Sequence, residues 1–388
     1  GDPAGANAYF MLGSTLSIAA NRISYLFDFR GPSMAIDTAC SSALVALHEA
    51  FHAVRQGRAD LAVVGAVNLL LSPFPFVGFS QASMLSPSGR CKTFDKSADG
   101  YVRAEGGGVV ILKRLAAARR DGDPILAVVK AVGVNADGRT PGIAQPSGAR
   151  QEELLRRVYD GIDADPGDLV YFEAHGTGTA IGDPIEAGAI GRALGQRRPR
   201  NRPLPIGSVK SNIGHLEPAS GMAGLVKAIE VLRHGAVPST LHVSEPNPAI
   251  DFAGLNLAIV DSPAPIARGA GPALVGVNSF GFGGANAHVV LEEYSDSRSA
   301  KRPRIRSPLY ISAKEPAALR SVAANVATVL RRDSPPPLYD LAYTLARRRS
   351  AHPHRLVLHG PSPTLIDDLD AIAAGAPPPS IASGQALG

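Results

Sequence analysis

Three side chains of this 388-residue chain are of types that could work together on a carbonyl group: Cys40, His175 and His215. Cys40 stands in the run Asp37-Thr38-Ala39-Cys40-Ser41-Ser42-Ala43-Leu44. Before it, Met34-Ala35-Ile36 reads as a short buried strand; after it, Leu44, Leu47, Phe51 and Val54 repeat at helical spacing up to Gly57. At such a corner the first turn of the helix offers unpaired N–H groups and partial positive charge, which favour a thiolate over a thiol and can cradle an oxyanion. Small neighbours leave the sulfur approachable. The competing reading is a buried structural cysteine, and a base elsewhere in the chain decides between the two. Two candidate bases follow apolar, strand-like runs, in Glu173-Ala174-His175-Gly176-Thr177-Gly178-Thr179 and in Lys210-Ser211-Asn212-Ile213-Gly214-His215.

These runs, with Thr38-Ala39-Cys40-Ser41-Ser42 and the glycine-rich Asn278-Ser279-Phe280-Gly281-Phe282-Gly283-Gly284-Ala285-Asn286, closely resemble the β-ketoacyl synthase (ketosynthase) domains of modular type I polyketide synthases. The resemblance implies an acyltransferase that performs a decarboxylative Claisen condensation. Cys40 would hold an acyl chain, and a malonyl-type extender would arrive on acyl carrier protein. His175 and His215 would donate hydrogen bonds to the extender's thioester carbonyl as carbon dioxide leaves. Lys210 resembles the family's active-site lysine, which orients the histidines and tunes their electrostatics. Backbone N–H groups of Cys40 and Phe282 are the expected oxyanion hole, with Gly281, Gly283 and Gly284 letting that loop approach closely. Phe280 and Phe282 either gate the acyl pocket or simply pack in the core. Thr177 and Thr179 are expected to bind a phosphopantetheine arm.

The reaction needs no metal and no redox cofactor, its substrates being carried on the phosphopantetheine of acyl carrier protein. The partners implied are that carrier, an acyltransferase domain in cis and a second copy of the chain in a homodimer. A non-elongating, transacylating ketosynthase and an inactive structural fragment are the alternatives. Non-elongating relatives commonly lose the first catalytic histidine and silent partners replace the cysteine, whereas this sequence keeps both. The pattern Gly176-x-Gly178-x-x-x-Gly182 lacks the spacing and the downstream acidic residue of a dinucleotide site.

The elements that must position these groups alternate. Asp60 to Val67 reads as a fully buried strand, Gly108 to Leu112 and Ile125 to Val134 as further strands, and a helix begins near Ser147. Leu169 to Phe172 delivers His175, and Pro205 to Val209 delivers the Lys210 to His215 segment. A helix ending near Gly235 follows, then strands around Leu255 to Val260, Ala273 to Asn278 and His288 to Glu292. The stretch Ser72 to Ala104 is rich in Pro, Gly and Ser and reads as a substrate-side excursion. Buried strands alternating with amphipathic helices argue for an α/β class with catalytic groups at strand ends. The resemblance adds a thiolase-like αβαβα five-layer fold for residues 1–295 and a small αβ linker domain, of the kind between ketosynthase and acyltransferase, for 296–388. Ketosynthases begin well upstream of the cysteine elbow, so an N-terminally truncated domain is expected.

Composition bounds the rest. With 45% hydrophobic residues the chain can bury a large core, and no apolar run approaches the ~20 residues that span a bilayer. The start, Gly1-Asp2-Pro3, lacks a signal peptide's basic and apolar regions, and two cysteines, Cys40 and Cys91, make no disulfide framework. A cytoplasmic enzyme is expected. The net charge of +5 belongs to the tail, since residues 1–299 hold 27 basic against 28 acidic residues. Lys301 to Arg306 and Arg347 to Arg349 lack interleaved aromatics and read as solvated faces rather than a nucleic-acid patch.

Overall fold

The computed structural model describes residues 7–162, 164–269, 271–295, 308–359, 362–376 and 382–385. The chain divides into two compact units, Gly1–Ser295 and Asp296–Gly388.

Unit 1 opens with helices α1 (Phe10–Ser14), α2 (Leu16–Phe27) and α3 (Ser42–Arg55), strand β1 (Leu61–Asn68), helix α4 (Phe74–Gln81), strand β2 (Gly106–Lys113) and helix α5 (Leu115–Asp121). Strand β3 (Val128–Ala136), helix α6 (Gly148–Asp160), strand β4 (Leu169–Glu173), helix α7 (Gly182–Ala193) and strand β5 (Leu204–Gly207) follow. Next come helices α8 (Lys210–Ile213) and α9 (Ser220–His234), strand β6 (Ala236–Val237), helix α10 (Phe252–Leu255) and strands β7 (Leu257–Ile259), β8 (Ala264–Pro265), β9 (Leu274–Phe280) and β10 (Ala285–Glu292).

Local chemistry sets several of these boundaries. The Ser147 hydroxyl accepts from the N–H of Arg150 at the start of α6. Gly235, with φ +65°, closes α9 in the left-handed conformation that a glycine adopts without strain.

The strands assemble into a six-stranded sheet of order β3-β10-β9-β4-β5-β7. Pairs β3/β10 and β10/β9 are antiparallel, whereas β9, β4, β5 and β7 run parallel. Period-two alternation divides the core between the faces. Val275, Val277, Val289 and Leu291 pack with Leu44 and Leu47 of α3 and Leu225 and Leu232 of α9. Leu274 and Val290 join Leu154, Leu155 and Val158 of α6 and Ile190 of α7 on the other side. Beyond α3 and α9 lies the antiparallel pair β1–β2, so four layers run α, β, α, β through the described residues.

Four readings change. Met34-Ala35-Ile36 forms no strand: it pairs with no sheet, and Met34 is exposed. The strand read as fully buried, β1, is buried on one face only, because α3 covers that side while Leu61, Val63 and Val67 stand exposed on the other. The stretch read as an irregular excursion contains α4, whose Phe74, Pro75, Phe76, Val77 and Phe79 are too uniformly apolar to show helical periodicity. Before β7, Leu255 belongs to the short helix α10.

Unit 2 contains strand β11 (Leu309–Ala313), helices α11 (Pro316–Leu330) and α12 (Leu338–Arg347), strand β12 (His354–Leu358), helix α13 (Leu365–Ala373) and strand β13 (Ala382–Gln385). Its sheet is antiparallel in the order β11-β12-β13, around a core that includes Leu309, Ile311, Val326, Leu356 and Leu369. The Lys301 to Arg306 cluster lies outside the described residues, while Arg347 to Arg349 are exposed. Among the described residues no helix is long and apolar enough to cross a membrane.

Candidate active site

Three adjacent parallel strands of the large sheet deliver the chemistry to one edge. Phe280 ends β9 and the turn after it carries Phe282, while beyond the C-terminal ends of β4 and β5 come His175 and then Lys210 and His215. Neighbouring parallel strands end on the same side, so groups far apart in sequence meet there. α3 brings its first turn to the same place. The sulfur of Cys40 and one ring nitrogen each of His175 and His215 lie within 4.8 Å of one another.

The corner at Cys40 is built tightly. Ala39 takes φ +56°, rare for a residue with a β-carbon, and hydroxyls hold the bend. Ser42 Oγ accepts from Thr38 N–H at 2.9 Å and donates to the Ala39 carbonyl at 2.6 Å, and Ser41 Oγ donates to the Thr38 carbonyl at 2.9 Å. The Cys40 carbonyl accepts from Ser279 Oγ at 2.7 Å and Ser220 Oγ at 3.2 Å, tying the nucleophile's backbone to β9 and α9. Gly281 is needed here, since a β-carbon would run into the Thr38 carbonyl. Gly283 is not: it faces open space.

Electrostatics correct one expectation. Burial pushes the Cys40 thiol up to about 11, outweighing the pull of Lys210 and of the Phe282 and Cys40 N–H groups. The resting group is a thiol, because desolvation of the anion exceeds what a helix N-terminus returns. Both N–H groups nonetheless face the sulfur, the placement an oxyanion hole requires. Part of the Cys40 surface remains accessible.

The histidines were open to two readings, base or hydrogen-bond donor, and their hydrogen bonds bear on the choice. The N–H of Phe280 donates to His175 Nδ1 at 3.4 Å, and the N–H of Glu217 donates to His215 Nδ1 at 2.9 Å. A ring nitrogen that accepts carries no proton, so each neutral imidazole bears its proton on Nε2. Burial, reinforced by the charge of Lys210, holds both rings well below the usual histidine range. They are therefore hydrogen-bond donors at rest, not bases. The same tautomers speak against a metal centre, for which Cys40, His175 and His215 have the right residue types, because a protonated Nε2 has no lone pair for a cation.

Lys210 is buried, and burial lowers its pKa, opposed chiefly by Glu173 and Glu186. Glu173 is itself fixed by Val209 N–H at 2.6 Å, Tyr171 Oη at 2.7 Å and Lys227 Nζ at 2.9 Å. Thr177 and Thr179 are half-buried, with their hydroxyls 3.1 Å apart. Phe280 is buried with its ring 5.8 Å from that of His175, whereas Phe282 is 50% exposed and meets Phe79 edge-on. Phe280 thus lies in the core, whereas half of Phe282 faces solvent. An apolar recess of about 450 Å³ opens beside Phe282, lined also by Pro75, Phe79, Met84 and Ile143.

A family profile for the β-ketoacyl synthase N-terminal domain matches residues 2–118, one for the C-terminal domain residues 126–244, and one for the ketoacyl-synthetase C-terminal extension residues 246–358. The ketosynthase from module 6 of the bacillaene synthase of Bacillus subtilis 168 superposes with a TM-score of 0.87 at 37% identity, over 98% of this chain and 68% of that one. The chain belongs to the β-ketoacyl synthase family. It shares the thiolase-like fold of such ketosynthases, including the oxazolomycin ketosynthase domain OzmH KS7 of Streptomyces albus (TM-score 0.88, 38% identity, 96% of this chain and 66% of that one). Among curated proteins, 5-methyl-1-naphthoate synthase of Streptomyces sahachiroi is 43% identical over 98% of this chain, and erythronolide synthase EryA3 of Saccharopolyspora erythraea 42% over 94%. The chain spans only a small part of the length of these curated relatives, 22% and 12% respectively.

In this ketosynthase fold several supporting groups escaped the sequence reading. Glu186 accepts from His175 N–H at 2.7 Å, Gly176 N–H at 2.8 Å and Asn278 Nδ2 at 2.9 Å, fastening the histidine loop to α7 and β9. Asp183, pushed up to about 7 by burial, accepts from Phe94 N–H at 2.8 Å and Gly178 N–H at 3.1 Å. The signal available was Gly182-Asp183-Pro184-Ile185-Glu186, two acids at the start of a helix whose only other charged residue is Arg192, where the macrodipole favours them.

Proposed function

We propose that unit 1 is a β-ketoacyl synthase domain of a polyketide synthase that joins an acyl chain held on Cys40 to a malonyl-type extender. The observation that carries this reading is the pair of Nε2–H donors converging on the side of a sulfur lined by two backbone N–H groups. In acyl loading, Cys40 Sγ attacks the carbonyl of an acyl thioester on the phosphopantetheine of acyl carrier protein. The developing oxyanion rests on the Cys40 and Phe282 N–H groups, the carbon–sulfur bond to the carrier breaks, and the proton from Cys40 leaves with the carrier's thiol.

In condensation, the extender's thioester oxygen accepts from His175 and His215 Nε2–H. The bond to the carboxylate breaks, carbon dioxide departs, and its electron pair forms an enolate held by those donors. The enolate carbon bonds to the acyl carbonyl, the Cys40 thioester bond breaks, and the thiolate takes a proton from solvent. Burial, reinforced by Lys210, keeps both imidazoles neutral throughout. The apolar recess beside Phe282 takes the acyl chain, Phe282 gates it, and Thr177 and Thr179 bind the phosphopantetheine arm.

Unit 2 then acts as the linker toward an acyltransferase domain in cis, a reading supported by the C-terminal extension match across residues 246–358. A cytosolic homodimer is part of this proposal. Its support is the apolar surface left exposed on α2, at Tyr25, Leu26 and Phe27, and on β2, at Val109 and Ile111.

Intact-mass analysis after incubation with a synthetic acyl thioester tests the reading directly. One acyl group on Cys40, discharged as β-keto product when malonyl carrier is added, is the expected result. A labelled protein that never discharges would instead indicate a transacylating enzyme. A further test concerns the buried cation. In Lys210→Met the charge that reinforces burial is gone, so both histidine pKa values rise, while burial still holds them below the usual histidine range. The pH at which the two rings take up a second proton, read by nitrogen-15 NMR of labelled histidine across a pH series, should therefore be higher in Lys210→Met than in wild type. Superimposable pH profiles for the two proteins would remove Lys210 from this role.

A further inference from the structure

Two residues past His215 the backbone enters the left-handed region at a residue that is not glycine: Glu217 has φ +46°. That conformation is disfavoured for any side chain with a β-carbon, and it persists only where surrounding contacts impose it. Here Asn68 Nδ2 donates to Glu217 Oε2 at 3.4 Å, and the shorter contacts are those of Arg103. Its Nε donates to Glu217 Oε1 at 2.6 Å and its Nη2 to Oε2 at 2.8 Å, a bidentate pair whose side chains are only 5% and 13% exposed. The guanidinium lies over the rings of Phe76 and Phe79, at 4.5 and 5.6 Å, and its Nη1 is buried with no acceptor. Among the described residues Glu217 is the one carboxylate paired with Arg103.

Arg103 is also anchored to the histidine itself. On one side of it the Val102 carbonyl accepts from His215 N–H at 2.7 Å, and on the other Ala104 N–H donates to the His215 carbonyl at 2.9 Å. Backbone clamp, ion pair and the bond from Glu217 N–H to His215 Nδ1 thus close into one ring of contacts around the imidazole. A buried ion pair is weak support for stability, since desolvating both charges offsets most of their attraction. Its geometric rigidity is what the site can use.

We propose that the Arg103–Glu217 pair is a positioning device that holds the Glu217 N–H on His215 Nδ1 and so keeps the His215 proton on Nε2, facing the reacting carbonyl. The proposal rests on the reading of His215 as a donor to the extender. If the Glu217 amide turns away, the ring is free to carry its proton on Nδ1. Nε2 then presents a lone pair to the thioester oxygen and repels it. Extender decarboxylation suffers, whereas acyl loading of Cys40, which uses the backbone N–H groups, does not.

The test uses the full chain with three variants, Glu217→Ala, Glu217→Gln and Arg103→Met/Glu217→Gln. The double variant removes both buried charges and so guards against simple misfolding of the single ones. Malonyl decarboxylation should drop roughly 10- to 100-fold in Glu217→Ala and in the double variant, with Glu217→Gln in between because its amide oxygen still accepts from Arg103. Acylation rates should stay within about twofold. Nitrogen-15 NMR of labelled histidine, independent of turnover, should report the Nε2–H form of His215 in wild type and a mixture in the two crippled variants. A folded double variant that decarboxylates at the wild-type rate and keeps the Nε2–H form overturns the proposal. Wild-type protein that neither acylates nor decarboxylates overturns the underlying reading, and the proposal with it.

Discussion

Cys40→Ala is expected to lose acyl-enzyme formation outright and to reduce condensation by on the order of 10⁴-fold or more, the scale of removing a nucleophile whose partners remain in place. Decarboxylation of a malonyl thioester should survive. The two halves of the reaction use different groups: acyl transfer needs the sulfur and the N–H groups of Cys40 and Phe282, whereas carbon dioxide loss needs only donors to the extender's oxygen. The backbone at position 40 is held by Ser279 and Ser220 through its carbonyl, which alanine retains, so the corner and both N–H groups keep their places. Intact mass reads the first half, and carbon dioxide release with a coupled assay reads the second. A Cys40→Ala protein that still condensed acyl and malonyl thioesters at an appreciable fraction of the wild-type rate would end the covalent mechanism.

The mirror-image result is expected of His215→Ala. One of two enolate donors is gone, and loss of a single preorganised donor costs roughly 10²- to 10³-fold. Acyl loading of Cys40 should persist at close to the wild-type rate, because the imidazole is not the base for the thiol: its Nδ1 is occupied by Glu217 N–H and its Nε2 carries a proton. The His175→Ala variant should behave alike, the rings being 5.4 Å apart at nearly right angles and both held neutral. If His215→Ala instead abolished loading while decarboxylation continued, the histidine would be a general base and the donor assignment would be wrong. Together the two variants separate the sulfur's work from the imidazoles' work in one pair of assays.

The division of labour between sequence and structure follows the same line. The identities of Cys40, His175, Lys210 and His215 were legible because each sits in a short motif whose local form is dictated by neighbours within a few residues. Glycines and small residues mark the turns, apolar runs mark the strands, and Gly57 and Gly235 mark helix ends. The α/β alternation and most strands of the large sheet were legible for the same reason, since periodicity is a local signal. The half-exposed face of β1 was not, because burial depends on what lies across the sheet. Nor was α4, where an apolar run carries no phase.

What the chain could not declare alone was the state of its reacting groups. A helix N-terminus suggests a thiolate, yet whether Cys40 is charged depends on how much water the folded site removes, and burial outweighs the dipole. Two histidines suggest bases, yet their tautomers are set by the amides of Phe280 and Glu217, the first 105 residues from the ring it touches. The acids that brace the site, Glu173, Asp183 and Glu186, and the Arg103–Glu217 pair gain their meaning only from partners brought close by the sheet. Motifs specify which atoms are present; solvation and long-range hydrogen bonds, which exist only after folding, decide which of those atoms carry protons and where they point.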